Sequence, residues 1–120
     1  MRVFPLFLSS LLVAAVVSAS AANVRPSQDV GDWKPIKNLR DPHVLEIARF
    51  AVAEHNKEAD VVLKLGRVVR GEIQVASGIN YRLVFQAARA RGGDDEYVAV
   101  VWEKSWQNFR RLTSFRPLEP

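Results

Sequence analysis

Cysteine is absent from the 120-residue sequence, so the chain forms no disulfide, no zinc–thiolate site and no thiolate nucleophile. Histidine is scarce, since His43 and His55 are the only two, and their separation matches no zinc-binding pattern. The sequence also lacks a glycine-rich phosphate loop, a dinucleotide-binding fingerprint and a Gly-x-Ser-x-Gly nucleophile elbow. These absences predict that the chain is not an enzyme and that it has no metal or cofactor.

A strong excess of one charge is also missing. The chain has 17 Lys and Arg residues against 13 Asp and Glu residues, a net charge of +4 at pH 7. The basic residues are dispersed apart from a short cluster at Arg110 and Arg111, so the sequence has no basic stripe of the kind that binds nucleic acid. We therefore expect no nucleic-acid partner.

The longest hydrophobic run lies at the N-terminus and is short for a membrane span. Arg2 precedes an apolar run of roughly 15 residues that ends in small residues near Ala22, which is typical of a secretory signal peptide. A membrane span needs about 20 residues, and Pro5 interrupts this run. We predict a signal peptide over residues 1–22, a flexible leader over residues 23–30 and one domain over residues 31–120. Secretion to the extracellular space or the vacuole follows, with no membrane attachment after cleavage.

The clearest periodic segment is "HVLEIARFAVAEHNKEA", which ends at about Ala59. Its apolar residues recur at i, i+3, i+4 and i+7, after Asp41 as N-cap and Pro42 at the first helical position. Leu45 and Phe50 lie at the two margins of the apolar arc, which spans roughly 220°. An arc this wide predicts that a curved sheet wraps the helix.

Strand patterns occupy most of the remaining chain. A short strand is expected within residues 32–39, and Pro35 would keep it at a sheet edge. After the helix, β-branched and alternating segments predict four antiparallel strands joined by hairpins. The order predicts an α+β fold, in which one long helix is wrapped by a curved antiparallel sheet of four to five strands.

The turn within "IQVASGINY", residues 73–81, carries no charge and no large side chain at its tip. Exposed turns commonly contain Asn or Asp besides Gly. A bare tip suits a narrow slot, because a charge there would lose its hydration without gaining a partner. Gly78 can adopt a positive φ and close the hairpin. On composition alone, an ordinary hairpin tip explains the turn equally well.

Two further positions suggest contact with a partner. Trp106 lies among polar residues at a predicted turn, and an exposed Trp is typical of a binding contact. Gly31 lies at the leader junction, where a residue without Cβ lets the chain bend and pass close to a partner. Trp102 lies in an apolar strand and is predicted to belong to the core, whereas Trp33 is left unassigned.

Four segments together resemble the plant cystatins. "IARFAVAEHN", residues 47–56, is similar to the signature helix of that family, and "QVASG", residues 74–78, resembles its Gln-x-Val-x-Gly hairpin. "VWEKSWQNF", residues 101–109, resembles the segment that carries the second hairpin, and "GDWKPIKNLRDPHV" resembles the leader with its glycine. The segments occur in the family's order and cover about residues 30–116.

The resemblance implies a reversible, competitive, non-covalent inhibitor of papain-like cysteine proteases, which occludes the active-site cleft. It also implies a sheet wrapped around one helix, in agreement with the wide apolar arc. A leader glycine and two hairpins would line up as a wedge along one edge. The residues implied to contact the protease are Gly31, Gln74, Val75, Ala76, Ser77, Gly78, Ser105 and Trp106.

The chain departs from the family pattern at two contact positions. Ala76 stands where the central Val is usual, which removes apolar contact worth about 1–2 kcal/mol at most. Ser105 stands where plant members usually have Pro before the Trp, which leaves the second hairpin freer at a cost of about 0.4–1 kcal/mol. Both departures predict weaker binding to some proteases.

An alternative function stays open on the sequence. The same scaffold could lack inhibitory activity and bind an anionic polysaccharide or a membrane surface through Arg110, Arg111 and Arg116. We expect a monomer, although the resemblance also allows a dimer that exchanges segments through the first hairpin.

Overall fold

The computed structural model describes residues 30–119. One helix and a single five-stranded sheet make up this part of the chain. The elements in chain order are β1 (Lys34–Pro35), α1 (Pro42–Ala59), β2 (Leu63–Val75), β3 (Ile79–Arg89), β4 (Asp94–Lys104), a 3-10 turn (Ser105–Gln107) and β5 (Phe109–Pro117). The predicted signal peptide, and the predicted leader up to residue 29, lie outside the described residues.

Helix α1 begins and ends where its capping residues predict. The Asp41 side chain accepts a hydrogen bond of 2.8 Å from the backbone N–H of His43, and Pro42 occupies the first turn, where a missing N–H costs nothing. At the other end Asp60 adopts a left-handed conformation, and its N–H bonds the carbonyl of Asn56. The expected helix boundaries are thus confirmed.

The sheet is antiparallel throughout, in the order β1-β2-β3-β4-β5. Its register places the β2–β3 turn and the β4–β5 turn at the same end, since Val75 pairs with Ile79, Ile79 pairs with Glu103, and Glu103 pairs with Arg110. The β3–β4 turn lies at the opposite end. We call the first end the tip end and the second the far end.

The core lies between α1 and the inner face of the sheet. Helix α1 contacts each of the four long strands, and irregular register in β2 and β5 bends the sheet around it. This confirms the predicted curved sheet over one helix. The core residues, apart from partly buried ones at the margin, are Val44, Ile47, Ala48, Ala51, Val52, Leu63, Val68, Leu83, Phe85, Ala87, Tyr97, Ala99 and Val101.

The predicted N-terminal strand is shorter than its sequence pattern. Only Lys34 and Pro35 pair with β2, at the edge of the sheet, and both are exposed. The edge position is the one at which a proline leaves no ladder hydrogen bond unmade. Within residues 30–119, no helix combines the length and apolar character of a membrane span.

Candidate functional site

The leader meets the first hairpin at the tip end. Val30 forms an antiparallel bridge with Ala76, and the Gly31 N–H donates to the carbonyl of Val75 at 2.8 Å. The turn itself is closed by a hydrogen bond of 2.9 Å from the Ala76 N–H to the carbonyl of Gly78. The structure therefore brings the predicted leader contact and the predicted first-hairpin contacts side by side.

The Gln74 side chain makes two hydrogen bonds within the protein. Its amide Nε2 donates to the carbonyl of Gly31 at 3.2 Å, and its Oε1 accepts from Asn80 Nδ2 at 3.0 Å. The first bond ties the leader to the hairpin, and the second joins the two strands of the hairpin to each other. Among the predicted contact residues, Gln74 is therefore placed to hold the tip in shape.

Glycine is required at position 78 for two independent reasons. Its φ is +118°, a conformation that residues with a Cβ rarely adopt. A Cβ there would also lie 2.4 Å from the carbonyl oxygen of Glu103, so the tip packs directly on the backbone of β4. The neighbouring Ser77 has a φ of +51°. The turn at residues 76–78, which we call the first tip, therefore has one specific backbone conformation. It packs on β4, the strand that leads into the second hairpin.

Gly31 is not required by packing within the described residues. A Cβ at this position would have its nearest neighbour at 3.8 Å, the carbonyl oxygen of Val75, which is ordinary contact. The lack of a side chain instead leaves the outer edge of the leader smooth, next to Val75, whose side chain is exposed.

The second hairpin turns through Ser105–Gln107 in a single 3-10 turn. Asn108 closes it in a left-handed conformation, with its N–H bonded to the carbonyl of Ser105 at 3.1 Å. Trp106 stands at the apex and is 65% exposed. The predicted exposure of Trp106 is therefore confirmed.

The prediction that Trp102 belongs to the core is wrong. Tyr97, Ala99 and Val101 of β4 face the helix, so the alternation puts Trp102 on the outer face, where it is partly buried. Its indole Nε1 donates to the carbonyl of Ala76 at 3.1 Å, across the sheet in the first hairpin. The apolar run around Trp102 hides the alternation by which only every second residue of β4 reaches the helix.

A buried carboxylate lies behind the second hairpin, and sequence reasoning did not find it. Glu103 is 7% exposed, and its two oxygens bond His43 Nε2 at 2.7 Å and Arg110 Nε at 2.8 Å. Burial acts to raise the pKa of Glu103, but the hydrogen bonds from His43 and Arg110 outweigh it, so the pKa is lowered from its ordinary value. Arg110 also bonds Glu46 on the helix at 2.6 Å. These four side chains fix the base of the second hairpin to the start of α1.

This network removes one residue from the predicted cationic cluster. Arg110 points inward to Glu46 and Glu103, whereas Arg111, its neighbour on β5, is exposed and has its guanidinium 5.6 Å from the ring centroid of Phe109. Arg116 lies opposite Val98, further along the strand. The three arginines therefore do not form one patch, and the alternative function loses the feature that supported it.

All eight predicted contact residues lie at the tip end of the molecule. The first tip and the second apex carry no charged side chain between residues 74 and 78 or between residues 105 and 108. Chemically, this edge offers backbone groups, small side chains and one exposed indole. It is suited to a partner surface that excludes water.

Comparison with known proteins identifies relatives in plants. The family described as SQAPI, aspartic acid proteinase inhibitor, matches residues 36–118. Cysteine proteinase inhibitor 5 of Arabidopsis thaliana is 49% identical, over 96% of this chain and 90% of its own length. Cysteine proteinase inhibitor 8 of Oryza sativa is 46% identical, over 94% of each chain.

Solved structures show the same fold. The salivary cystatin of the soft tick Ornithodoros moubata superposes with a TM-score of 0.66 at 22% identity, covering 74% of this chain and 98% of its own. The squash aspartic acid proteinase inhibitor superposes with a TM-score of 0.58 at 30% identity, covering 72% of this chain and 92% of its own.

Proposed function

Because this chain belongs to the plant cystatins, whose members are protease inhibitors and not enzymes, we propose that it reversibly inhibits papain-like cysteine proteases. Inhibition would be competitive and non-covalent, with the tip end inserted into the active-site cleft. The leader at Gly31, the first hairpin and the second hairpin would each contact the protease.

The observation that carries the proposal is the meeting of three separate chain segments at one end of the sheet, where both turns are uncharged. Residues far apart in sequence are joined there by direct hydrogen bonds, Gly31 to Val75 and Trp102 to Ala76. A cleft that excludes water penalises any unpaired charge, and none is present on either tip. Trp106 supplies the large apolar contact that such interfaces concentrate in few residues.

The conformation of the first hairpin supports the proposal that the protease is inhibited without cleaving the inhibitor. Association costs free energy for every loop that must be ordered, and here the first hairpin is held by the leader and by β4 before docking. A standard interface of about 800 Å² per partner would then bind tightly. Ser77 and Gly78 both have positive φ, and Gly78 packs on the backbone of β4, so the tip departs from the extended conformation of a cleavable strand.

The direct experiment is titration of papain with the purified chain beginning at Asn23. We expect an apparent inhibition constant that rises linearly with substrate concentration, full recovery of activity on dilution and recovery of the inhibitor uncut. Inhibition that is unaffected by substrate would contradict a site in the cleft. Absence of inhibition at micromolar concentration would contradict the proposal altogether.

Inhibition of an aspartic proteinase is the second candidate. The matching family is described as an aspartic acid proteinase inhibitor, and the squash protein of that description is 30% identical to this chain. The relatives named as cysteine proteinase inhibitors are more similar, at 46% and 49% identity, and therefore favour a cysteine protease as the target. Titration of pepsin under the same protocol separates the two, since we expect pepsin to retain its activity.

A further inference from the structure

Trp102 joins the two hairpins, although it belongs to neither tip. It lies on β4 opposite Asn80 of β3 and Arg111 of β5. Its indole N–H reaches past β3 to the carbonyl of Ala76, 26 residues away in sequence, at 3.1 Å. This carbonyl belongs to the first tip, beyond the last ladder pair of Val75 with Ile79. The ladder of the sheet therefore does not fix it.

The ring of Trp102 is in turn held by the base of the second hairpin. Lys104 Nζ lies 4.3 Å from the ring centroid, and the Phe109 ring packs edge-on at 5.5 Å. Lys104 and Phe109 are the last pair of β4 and β5, and the 3-10 turn with Trp106 lies between them. The indole of Trp102 thus contacts both the first tip and the stem of the second hairpin.

We infer that Trp102 is a positioning residue that holds the first tip and the stem of the second hairpin in one fixed arrangement. The inference rests on the proposed function, since fixing the tips matters for docking on a protease. Without the indole N–H, the Ala76 carbonyl would bond only water, and the tip would sample other positions relative to Trp106. Ordering it again on binding would weaken inhibition.

The test is Trp102→Phe, which removes the N–H donor and keeps an aromatic ring beside Lys104 and Phe109. We expect inhibition of papain to weaken about fivefold to tenfold, the effect of one hydrogen bond. The matched control is Thr113→Val, which also removes one hydrogen bond from a side chain to a backbone carbonyl. In this bond Thr113 Oγ1 donates to the carbonyl of Val100 in β4 at 3.1 Å, away from both tips. We expect the control to inhibit like the unchanged chain.

A second readout separates positioning from a general loss of stability. In the free protein, the Ala76 amide is protected by its bond to the Gly78 carbonyl, and we expect Trp102→Phe to speed its hydrogen exchange. Core amides such as that of Phe85 should exchange as before. Equal inhibition by Trp102→Phe and the unchanged chain, or unchanged exchange at Ala76, would overturn the inference. Failure of the proposed function would be distinct, because the unchanged chain itself would then not inhibit.

Discussion

The two ends of the sheet carry hairpin turns of opposite character. At the tip end, the turn at Ala76–Gly78 is uncharged and is bonded to the leader and to β4. At the far end, the turn between β3 and β4 is charged, and Arg89 pairs with Asp95 at its base. Both turns contain glycine with positive φ, but a Cβ on Gly92 of the far turn would meet nothing within 4 Å.

The comparison shows that the exposure of apolar side chains alone does not distinguish the tip end, where we propose that the protease binds. Val62 in the far-end loop is 61% exposed, almost as much as Trp106. That loop, however, adjoins Asp60, Arg89 and Arg91, whose charges need water. What distinguishes the tip end is the absence of charge on its turns together with hydrogen bonds that join three segments.

The largest effect is expected from Gly78→Ala. The new Cβ would lie against the Glu103 carbonyl at 2.4 Å in a backbone conformation that alanine rarely adopts, so the tip must move. We expect papain inhibition to weaken by about 3–4 kcal/mol, several hundredfold. The measurement is an inhibition constant for each variant.

Gly92→Ala is the matched change at the far end. It pays a similar conformational cost at a φ of +94°, but nothing lies within 4 Å of its new Cβ. Stability should fall slightly, and inhibition should not change. If both alanine variants inhibit equally well, the seating of the first tip on β4 is not required for function.

The next effect is on stability and its pH dependence. Glu103→Gln removes the carboxylate charge that pairs with Arg110 and hydrogen-bonds His43, and we expect the free energy of unfolding to fall by about 3 kcal/mol at pH 7, as for a broken buried ion pair. Because the pKa of Glu103 is lowered on folding from 4.5, its contribution is present above that pH and is lost as the pH falls through the folded value. The difference between the two proteins should therefore shrink in acid.

Asp95→Asn provides the comparison at the far end. The pair of Asp95 with Arg89 is about half exposed, so its loss should cost less than about 1 kcal/mol. Urea unfolding at pH 7 and pH 3 measures both variants. If Glu103→Gln and Asp95→Asn lower the free energy of unfolding equally, burial of the Glu103 carboxylate does not strengthen its ion pair.

Local patterns predicted the helix and the strands, because helix caps and hydrophobic periodicity depend on residues that are close together in the sequence. Asp41, Pro42 and the wide apolar arc sufficed for α1 and for a sheet that wraps it. The network at Glu103 could not be read in this way, because Glu46 and Arg110 are 64 residues apart and meet only through the final register. The face of β4 that carries Trp102 could have been predicted, because Trp102 and its neighbour Val101 must lie on opposite faces of a strand. All residues from Tyr97 to Trp102 are apolar, however, so the sequence alone did not indicate which face is buried.

Trp106→Ala is expected to have the next largest effect on binding. We expect inhibition to weaken by roughly 2 kcal/mol or more, as for an interface hot spot. Because Trp106 is 65% exposed in the free protein, stability should change little. Val62→Ala truncates a side chain of similar exposure at the far end and should leave inhibition intact. Equal inhibition by both variants would remove the distinction between the ends.

The smallest effect is expected from Ser105→Pro, which stiffens the second hairpin. Lys104 has φ −124° and ψ 94°, the extended conformation that a residue before proline prefers. Position 105 starts the 3-10 turn, and within residues 30–119 its N–H has no backbone hydrogen-bond partner, so proline breaks none. Inhibition should strengthen by about 0.4–1 kcal/mol through lost freedom of the unbound loop. Ser105→Ala is the control, because it removes the same hydroxyl without adding a ring. If Ser105→Ala strengthens inhibition as much as Ser105→Pro does, the gain comes from loss of the hydroxyl. Stiffening of the second hairpin would then have no effect on inhibition.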